Sequence, residues 1–249
     1  MTVFHGGAGY YDLLYADKPH NTEVQHLIDI AQTAGRRDPL KRVLELGIGT
    51  GRHASVLADA GIEVHGLEIS ESMLVHLPNR PDIVGHLGDA RSARLGQEFD
   101  AVFSFFHVAS YQAEDNDISG FFSTARAHLA PGNPFVFDGW YSPGVMAQKP
   151  ENRAVSAARD GIEITRNSRV SEDVDRSLVF VEQEFSVSSG PENVVETFND
   201  SHTMRHFTSS EVRLIAAQTG FAVVAVVDPV SGLAPTRESW AATYCLKAI

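Results

Sequence analysis

The chain contains the stretch Val43-Leu44-Glu45-Leu46-Gly47-Ile48-Gly49-Thr50-Gly51-Arg52-His53, in which a short apolar strand runs into three glycines spaced every second residue. A helical pattern begins directly after them. Glycines let the backbone turn sharply and approach a ligand where a Cβ atom would collide. In open α/β sheets such a loop lies at the carboxyl end of a strand, where these sheets bind their ligands. We therefore expect a ligand site at this loop.

The loop differs from the two common phosphate-binding loops. It lacks the Lys-Ser/Thr pair of a P-loop, and its third glycine comes too early for the dinucleotide pattern G-x-G-x-x-G. Glu45 stands two residues before the first glycine. A carboxylate there disfavours a pyrophosphate and suits a ligand that carries an amino group and a sulfonium.

Two further acids follow at the ends of later strands. Glu68 ends the next apolar stretch, where an acid in this type of sheet accepts hydrogen bonds from a ribose diol. Asp89 follows a third short apolar stretch. Either acid alone could be a helix N-cap or a surface residue. Together with the glycine loop, and in this order, they favour a nucleoside-binding site.

With these three markers the chain resembles the class I S-adenosylmethionine-dependent methyltransferases. In that family the glycine loop holds the methionine portion and the ribose, and the two acids bind the ribose hydroxyls and the adenine amine. The resemblance implies S-adenosylmethionine as cofactor and no metal. The implied cofactor-binding positions are Glu45, Gly47, Gly49, Gly51, Arg52, Glu68, Ile69, Met73, Asp89, Ala90 and Phe105.

Alternating strand and helix patterns predict an α/β fold with a doubly wound, mainly parallel seven-stranded sheet, which is Rossmann-like. A capping box at Thr208-Ser209-Ser210-Glu211 predicts a helix that ends near residue 219. The expected strands cover residues 42–46, 63–69, 83–87, 99–105, 134–138, 222–227 and 240–248, the last being antiparallel in the family.

Residues 161–198 alternate apolar and polar side chains, which predicts antiparallel strands with one covered face. About 50 residues bury too little surface to fold alone comfortably, so we expect an inserted sheet. The predicted division is an N-terminal helical cap at 1–39, a cofactor-binding core at 40–145 and 206–249, and an insert at 146–205 that covers the substrate mouth. A dimer contact is expected on the second face of the insert, since exposed sheet surfaces find partners.

The segment after the fourth predicted strand should face the transferable methyl group. His107 and Tyr111 are its polar residues, and either could hydrogen-bond an acceptor or take its proton. Trp140 and Tyr141 follow the fifth strand and could wall a substrate. For all four residues the alternative is ordinary packing.

A narrower resemblance rests on Tyr10-Tyr11-Asp12-Leu13-Leu14-Tyr15 and on Asp200-Ser201-His202-Thr203-Met204-Arg205-His206-Phe207. The chain is similar to the N-methyltransferases that act on nucleotide-linked amino sugars. This implies that Tyr11 and Tyr15 act with Tyr111 and His107 in catalysis. His202 and Arg205 would meet a phosphate or carboxylate, the alternative being a solvated turn. Phe106-His107 is a departure, because those enzymes commonly carry small hydroxyl residues there.

The composition of the chain disfavours several other classes of function. The formal net charge of −12 at pH 7 disfavours nucleic-acid partners. There is no run of about 18 apolar residues and no signal-peptide pattern. The single cysteine excludes an intramolecular disulfide. We expect a cytoplasmic enzyme with a small-molecule substrate.

Three functions stay open at this point. The first is N-methylation of an amino sugar, and the second is O- or carboxylate methylation of a small molecule, which fold analogy cannot separate from the first. The third is a non-catalytic cofactor-binding module, which the intact glycine loop, Glu68 and Asp89 disfavour.

Overall fold

The computed structural model describes residues 20–33, 38–159, 161–189 and 194–249. Tyr11, Tyr15 and most of the predicted N-terminal cap lie outside the described residues. The helices are α1 (His20–Thr33), α2 (Arg52–Asp59), α3 (Glu71–Leu74), α4 (Asp115–Ala127), α5 (Ser142–Gln148) and α6 (Ser209–Gln218), with a 3₁₀ turn at Val108–Tyr111. No helix in this described part is long and apolar enough to cross a membrane.

Five parallel strands form the core of the sheet, in the order β3-β2-β1-β4-β5. This order reverses direction between β1 and β4, which is where open α/β sheets bind ligands. The strands are β1 (Arg42–Leu46), β2 (Glu63–Glu68), β3 (Ile83–Leu87), β4 (Ala101–Ser104) and β5 (Pro134–Tyr141). Beyond β5, β11 (Ala241–Ala248) runs antiparallel to both β5 and β10 (Phe221–Val227). The predicted Rossmann-like fold with an antiparallel last strand is confirmed.

Two apolar layers cover the core sheet. Successive residues of a strand face opposite sides, so Val43 and Phe103 join one layer while Leu44 and Val102 join the other. The first layer includes α1 and α2, and the second includes α4 and α6. Because both faces are covered there, apolar residues of β1 and β4 stand next to each other instead of alternating with polar ones.

The inserted antiparallel sheet continues the core sheet. Its strands are β6 (Arg153–Arg159), β7 (Ile162–Asp173), β8 (Leu178–Ser189) and β9 (Val194–Phe207). The end of β9 pairs in parallel with the end of β5, through Trp140 with His206 and Tyr141 with Phe207. The insert is therefore fixed beside the carboxyl ends of the core strands.

The antiparallel strands extend beyond the alternating span 161–198 on both sides, and run from Arg153 to Phe207. The strand β6 was missed because its described residues are almost all exposed, so no apolar alternation marks it. The last part of β9, for which a solvated turn was the alternative, is a strand that pairs with β8 as far as Arg205 and then with β5. The short helix α5 was also missed; Pro143 stands in its first turn, a position that proline favours.

Candidate active site

The glycine loop after β1 folds against the end of β2. The backbone N–H groups of Gly47 and Ile48 donate to the carbonyl oxygen of Leu67 at 2.8 and 3.0 Å. A Cβ atom on Gly47 would lie 2.7 Å from Val108, so this glycine allows close packing. Gly49 has a φ of +57°, and a Cβ atom there would meet nothing within 4 Å. The middle glycine therefore faces open space.

That space is a cavity of about 340 Å³ at the carboxyl ends of β1 to β4. Its volume lies in the range of small-molecule sites. It brings together every predicted cofactor position except Glu45 and Gly51, which do not line it. The predicted positions that line it are Gly47, Gly49, Arg52, Glu68, Ile69, Met73, Asp89, Ala90 and Phe105.

Glu68 lies where the second strand ends and holds the loop in place. Its Oε2 accepts a hydrogen bond from the backbone N–H of Gly49 at 2.9 Å, and its Oε1 accepts one from Ser70 at 2.9 Å. A carboxylate has about four lone-pair sites. The Glu68 carboxylate can therefore accept further hydrogen bonds from a ligand diol in the cavity.

Asp89 is bound by a neighbour that the sequence analysis did not identify. Arg91 donates to both Asp89 oxygens, with Nη2 at 2.6 Å from Oδ2, and also lies 3.0 Å from Asp117. The hydrogen bonds from Arg91 hold the pKa of Asp89 below its ordinary value. Arg91 lines the same cavity, so Asp89 and Arg91 meet a ligand as a pair.

Glu45 is buried behind the loop, with 1% of its surface exposed. Its Oε1 lies 3.8 Å from Nδ1 of His53, and its Oε2 has no hydrogen-bond partner among the described residues. Burial, together with the charge of Glu68, raises the pKa of Glu45 well above its ordinary value. His53 stacks on Phe105 and lines the cavity. A cationic ligand there would offset the cost of ionising Glu45.

A second cavity of about 420 Å³ lies between β5, α5 and the insert. Phe106 and Tyr111 line both cavities, so the two spaces meet at these residues. The predicted residues His107, Trp140 and His202 also line the second cavity. Three cations that the sequence analysis missed are there too: Lys149, Arg153 and Arg166. They lie on different elements without a shared motif, so the sequence carries no signal that joins them.

His107 and Phe106 occupy a strained loop after β4. Their φ angles are +63° and +61°, in the left-handed region that non-glycine residues rarely adopt. The backbone N–H of His107 donates to Oδ1 of Asp138 at 2.8 Å. Its Nδ1 lies 3.0 Å from Oδ2, within ion-pair distance but poorly aligned for a hydrogen bond. Asp138 was not among the predicted site residues.

His202 lies across the junction from Tyr111. Their rings meet edge to face with centroids 5.5 Å apart. The Nε2 atom of His202 lies 3.2 Å from Oε1 of Gln183 and 3.8 Å from Asp200. Burial lowers the pKa of His202, although the charge of Asp200 opposes this. The ring is therefore mainly uncharged at neutral pH.

The structure does not bring Arg205 or Tyr141 to either cavity. Arg205 donates to Glu211 at 2.6 Å and to Asp115 at 2.8 Å, which ties β9 to α6 and α4. Tyr141 packs against the core layer that contains α4. Because Glu211 binds Arg205, only the Thr208 half of the predicted capping box forms, in which Thr208 accepts from the Glu211 N–H.

The fold and these cavities define an α/β protein with a nucleoside site across its glycine loop and a second, adjoining site under the insert. Residues 43–132 match the methyltransferase domain family Methyltransf_25. Over 220 residues, covering 87% of this chain and 90% of the relative, the chain is 30% identical to dTDP-3-amino-3,4,6-trideoxy-alpha-D-glucopyranose N,N-dimethyltransferase of Streptomyces venezuelae.

Two solved structures share the whole architecture. The crystal structure of Streptomyces venezuelae DesVI has a TM-score of 0.80 and 25% identity, with 98% of each chain covered. S-adenosylmethionine-bound CalS10, an amino pentose methyltransferase from Micromonospora echinaspora, has a TM-score of 0.75 and 24% identity, with 98% of this chain and 96% of that chain covered. The chain belongs to the S-adenosylmethionine-dependent methyltransferases, in the family that includes the dTDP-amino-sugar N,N-dimethyltransferases.

The cofactor is S-adenosylmethionine, and the residues present fit it. The open direction above Gly49 leaves room for a ligand against the backbone, and the unpartnered Oε2 of buried Glu45 suits a ligand with positive charges. Glu68 has acceptor capacity for ribose hydroxyls. These features fit a cationic nucleoside better than a pyrophosphate.

Proposed function

We propose that this enzyme methylates the amino group of a nucleotide-linked amino sugar. The observation that carries the proposal is the second cavity, which meets the cofactor cavity at Phe106 and Tyr111. An acceptor in the second cavity would present its nitrogen at this junction. Relatives that are named for methylating dTDP-linked amino sugars support the same acceptor class.

The walls of the second cavity suit the parts of such an acceptor. Trp140 and Trp240 meet edge to face, with ring centroids 5.2 Å apart, and both line the cavity. An aromatic wall fits the apolar face of a deoxysugar. Lys149, Arg153 and Arg166 line the same space. In a chain with a net charge of −12, three cations in one cavity favour a phosphorylated acceptor.

Methyl transfer depends mainly on alignment. When bound, the cofactor supplies a methyl group on a positively charged sulfur, and that bond breaks as the acceptor nitrogen attacks the methyl carbon in line. The protein's contribution is to hold the nitrogen at the junction, keep water out and receive the amine proton. His107, Tyr111 and His202 line the second cavity, and we propose that they orient the amine.

The core and the insert have different proposed tasks. We propose that residues 40–145 and 206–249 bind the cofactor, and that residues 146–205 cover the acceptor. The closing roles of Tyr11 and Tyr15, the homodimer and the cytoplasmic location stay predictions of the sequence.

An acceptor panel tests the proposal. The enzyme is incubated with S-adenosylmethionine and either a dTDP-3-amino-3,6-dideoxyhexose or the matched dTDP sugar with a 3-hydroxyl group, and S-adenosylhomocysteine is followed by mass spectrometry. We expect product with the amine alone. Methylation of the hydroxyl sugar, or of a carboxylate in its place, would favour the O- or carboxylate methyltransferase. Arg153→Ala should raise KM for the dTDP sugar and leave the affinity for S-adenosylmethionine unchanged.

A further inference from the structure

We infer that Asp138 is a positioning residue that orients His107 as the proton acceptor for the acceptor's amino group. The inference rests on the proposed function, because it assigns a task in amine methylation. Asp138 lies near the end of β5, one strand away from the loop that carries His107.

Asp138 contacts His107 with both carboxylate oxygens. Oδ1 accepts the backbone N–H of His107 at 2.8 Å, and Oδ2 lies 3.0 Å from the ring Nδ1. The first contact is a hydrogen bond that fixes the backbone of His107, and the second brings its ring Nδ1 within ion-pair distance of the carboxylate. Together they hold the imidazole beside Asp138.

The backbone contact stabilises a conformation that the loop would not keep alone. Phe106 and His107 are consecutive non-glycine residues with positive φ, and such strain persists only where the surroundings determine it. Phe106 stacks on His107 and lines both cavities. Asp138 therefore also holds the wall at which the two cavities meet.

The charge of Asp138 decides which ring nitrogen is the acceptor. Burial opposes its ionisation, but His107 and, more weakly, His53 keep the pKa of Asp138 below its ordinary value. An ionised carboxylate beside Nδ1 favours the tautomer with the proton on Nδ1. Nδ1 is buried, whereas 26% of the His107 side chain is exposed, and the residue lines the second cavity. Nε2 is then the acceptor on the cavity side.

The proposed step conserves charge and atoms. An acceptor ammonium gives one proton to Nε2 of His107, and the N–H electron pair stays on nitrogen as its lone pair. This lone pair forms the bond to the methyl carbon as the carbon–sulfur bond breaks, with that electron pair passing to sulfur. The imidazolium, stabilised by Asp138, then releases its proton to water.

Other ionisable groups face this pair and share its pH response. His53 approaches Asp138 from α2. The remaining ones share the second cavity with His107: Tyr111, Lys149, Glu151, Arg153, Arg166 and His202. Of these, His202 is the alternative proton acceptor, so the test has to separate it from His107.

The first measurement needs no acceptor. Long-range ¹H–¹⁵N spectra of the ¹⁵N-labelled enzyme, with His107→Gln to assign the signals, report the His107 tautomer. We expect the Nδ1–H form in the wild type and its loss in Asp138→Asn, whose amide can still accept the His107 N–H. An Nε2–H form in the wild type would overturn the inference, even if every Asp138 variant failed to fold.

The second measurement uses turnover of the dTDP amino sugar. We expect Asp138→Asn to lower kcat/KM about 10- to 100-fold, with the affinity for S-adenosylmethionine unchanged. The acid limb of the pH profile should move in Asp138→Asn, because the carboxylate that faces the proton acceptor is replaced by a neutral amide. A merely structural role would lower the rate without moving this limb.

Glu63→Gln is the matched control. Glu63 also pairs with a histidine, since its Oε1 lies 2.9 Å from Nε2 of His65, but it lines neither cavity. It should leave the acid limb in place. An unmoved limb in Asp138→Asn, or a shift seen only in His202→Gln, contradicts the inference. If no amino sugar is methylated, the proposed function fails, while the tautomer measurement still decides the role of Asp138.

Discussion

Gly49 and Glu68 are joined by a 2.9 Å hydrogen bond from the backbone N–H of Gly49 to Oε2 of Glu68. The bond ties the loop after β1 to the end of β2, so one carboxylate both shapes the cavity and faces its ligand. We expect Glu68→Ala to weaken S-adenosylmethionine binding by about 1–3 kcal/mol, through lost charged hydrogen bonds. Titration calorimetry measures this. Glu71→Ala, an exposed acid in the first turn of α3, is the control. Equal affinities in the two variants would remove Glu68 from the site.

A comparison of two glycines separates backbone strain from ligand contact. Gly49 and Gly61 both have positive φ, and at both a Cβ atom would meet nothing within 4 Å. Alanine at either position should therefore lower the free energy of unfolding by a similar amount, about 1–2 kcal/mol. Only Gly49 lines the cavity, so only Gly49→Ala should lose cofactor affinity, and Gly49→Val should abolish binding. Equal affinity in the two alanine variants would show that the loop does not contact the ligand.

The cofactor half of the molecule could be predicted because its signals are local. Gly49 and Glu68 follow or end β1 and β2, which are consecutive along the chain and neighbours in the sheet. The contribution of Arg91 was missed, because an arginine two residues after Asp89 looks like a solvated surface residue until the two side chains pair. The burial of Glu45 away from the cavity surface could not be predicted either. Strand periodicity indicates which face of the sheet a residue occupies, but not how deeply its side chain is buried.

The acceptor half is assembled from distant segments and was predicted less well. Arg153 and Arg166 lie on paired strands, and neither belongs to a motif. Arg205 shows the opposite error: its motif pointed to a ligand, but two nearby acids bind it. Asp138 follows an apolar strand as the cofactor-binding acids do, and only the structure shows that it faces His107.

Glu45 should make the cofactor-free enzyme less stable as pH rises above the ordinary pKa of a glutamate. Its pKa is raised in the folded state, so its contribution to stability is full below the ordinary pKa of a glutamate and is lost as pH rises through the raised value. Glu45→Gln removes this dependence, so its Tm should fall less than the wild-type Tm between pH 5 and about 8. The variant should also bind S-adenosylmethionine more weakly, since it lacks the charge that suits a cation.

Thermal melts over this pH range, with and without cofactor, check the prediction for Glu45. Glu63→Gln is the control, because the Glu63 side chain is 45% exposed. Parallel pH curves for the wild type and Glu45→Gln would mean that Glu45 stays ionised in the folded enzyme.

Arg205 should act on stability rather than on substrate binding. Its side chain is 11% exposed and bridges Glu211 and Asp115. We expect Arg205→Ala to lower the free energy of unfolding by about 1–3 kcal/mol, while KM for the dTDP sugar stays unchanged. Arg176→Ala breaks the exposed pair with Glu114 and should cost about 1 kcal/mol or less. Urea denaturation measures the free energy of unfolding, and steady-state kinetics measure KM for the dTDP sugar. A raised KM at wild-type stability would restore Arg205 as a substrate ligand.

Tyr111 should orient the acceptor without taking its proton. It lines both cavities, and its ring meets the edge of His202. Tyr111→Phe keeps this ring contact and removes the hydroxyl, so we expect kcat/KM to fall about 10-fold or less at unchanged cofactor affinity. An essential general base would cost about 10²- to 10⁴-fold instead. The smaller loss follows because alignment and exclusion of water carry most of the reaction.

Tyr244→Phe provides the matched control for Tyr111→Phe. Tyr244 is fully buried, and its hydroxyl has no hydrogen-bond partner among the described residues, so removing that hydroxyl should leave both kcat/KM and KM unchanged. Steady-state kinetics of both variants on the same dTDP amino sugar separate the loss of a contact at the junction from the loss of a hydroxyl elsewhere. Full activity of Tyr111→Phe would make Tyr111 a packing residue and leave His107 and His202 as the polar groups that meet the amine. A loss near 10³-fold would indicate that Tyr111, and not His107, is the proton acceptor. It would contradict the role inferred for Asp138.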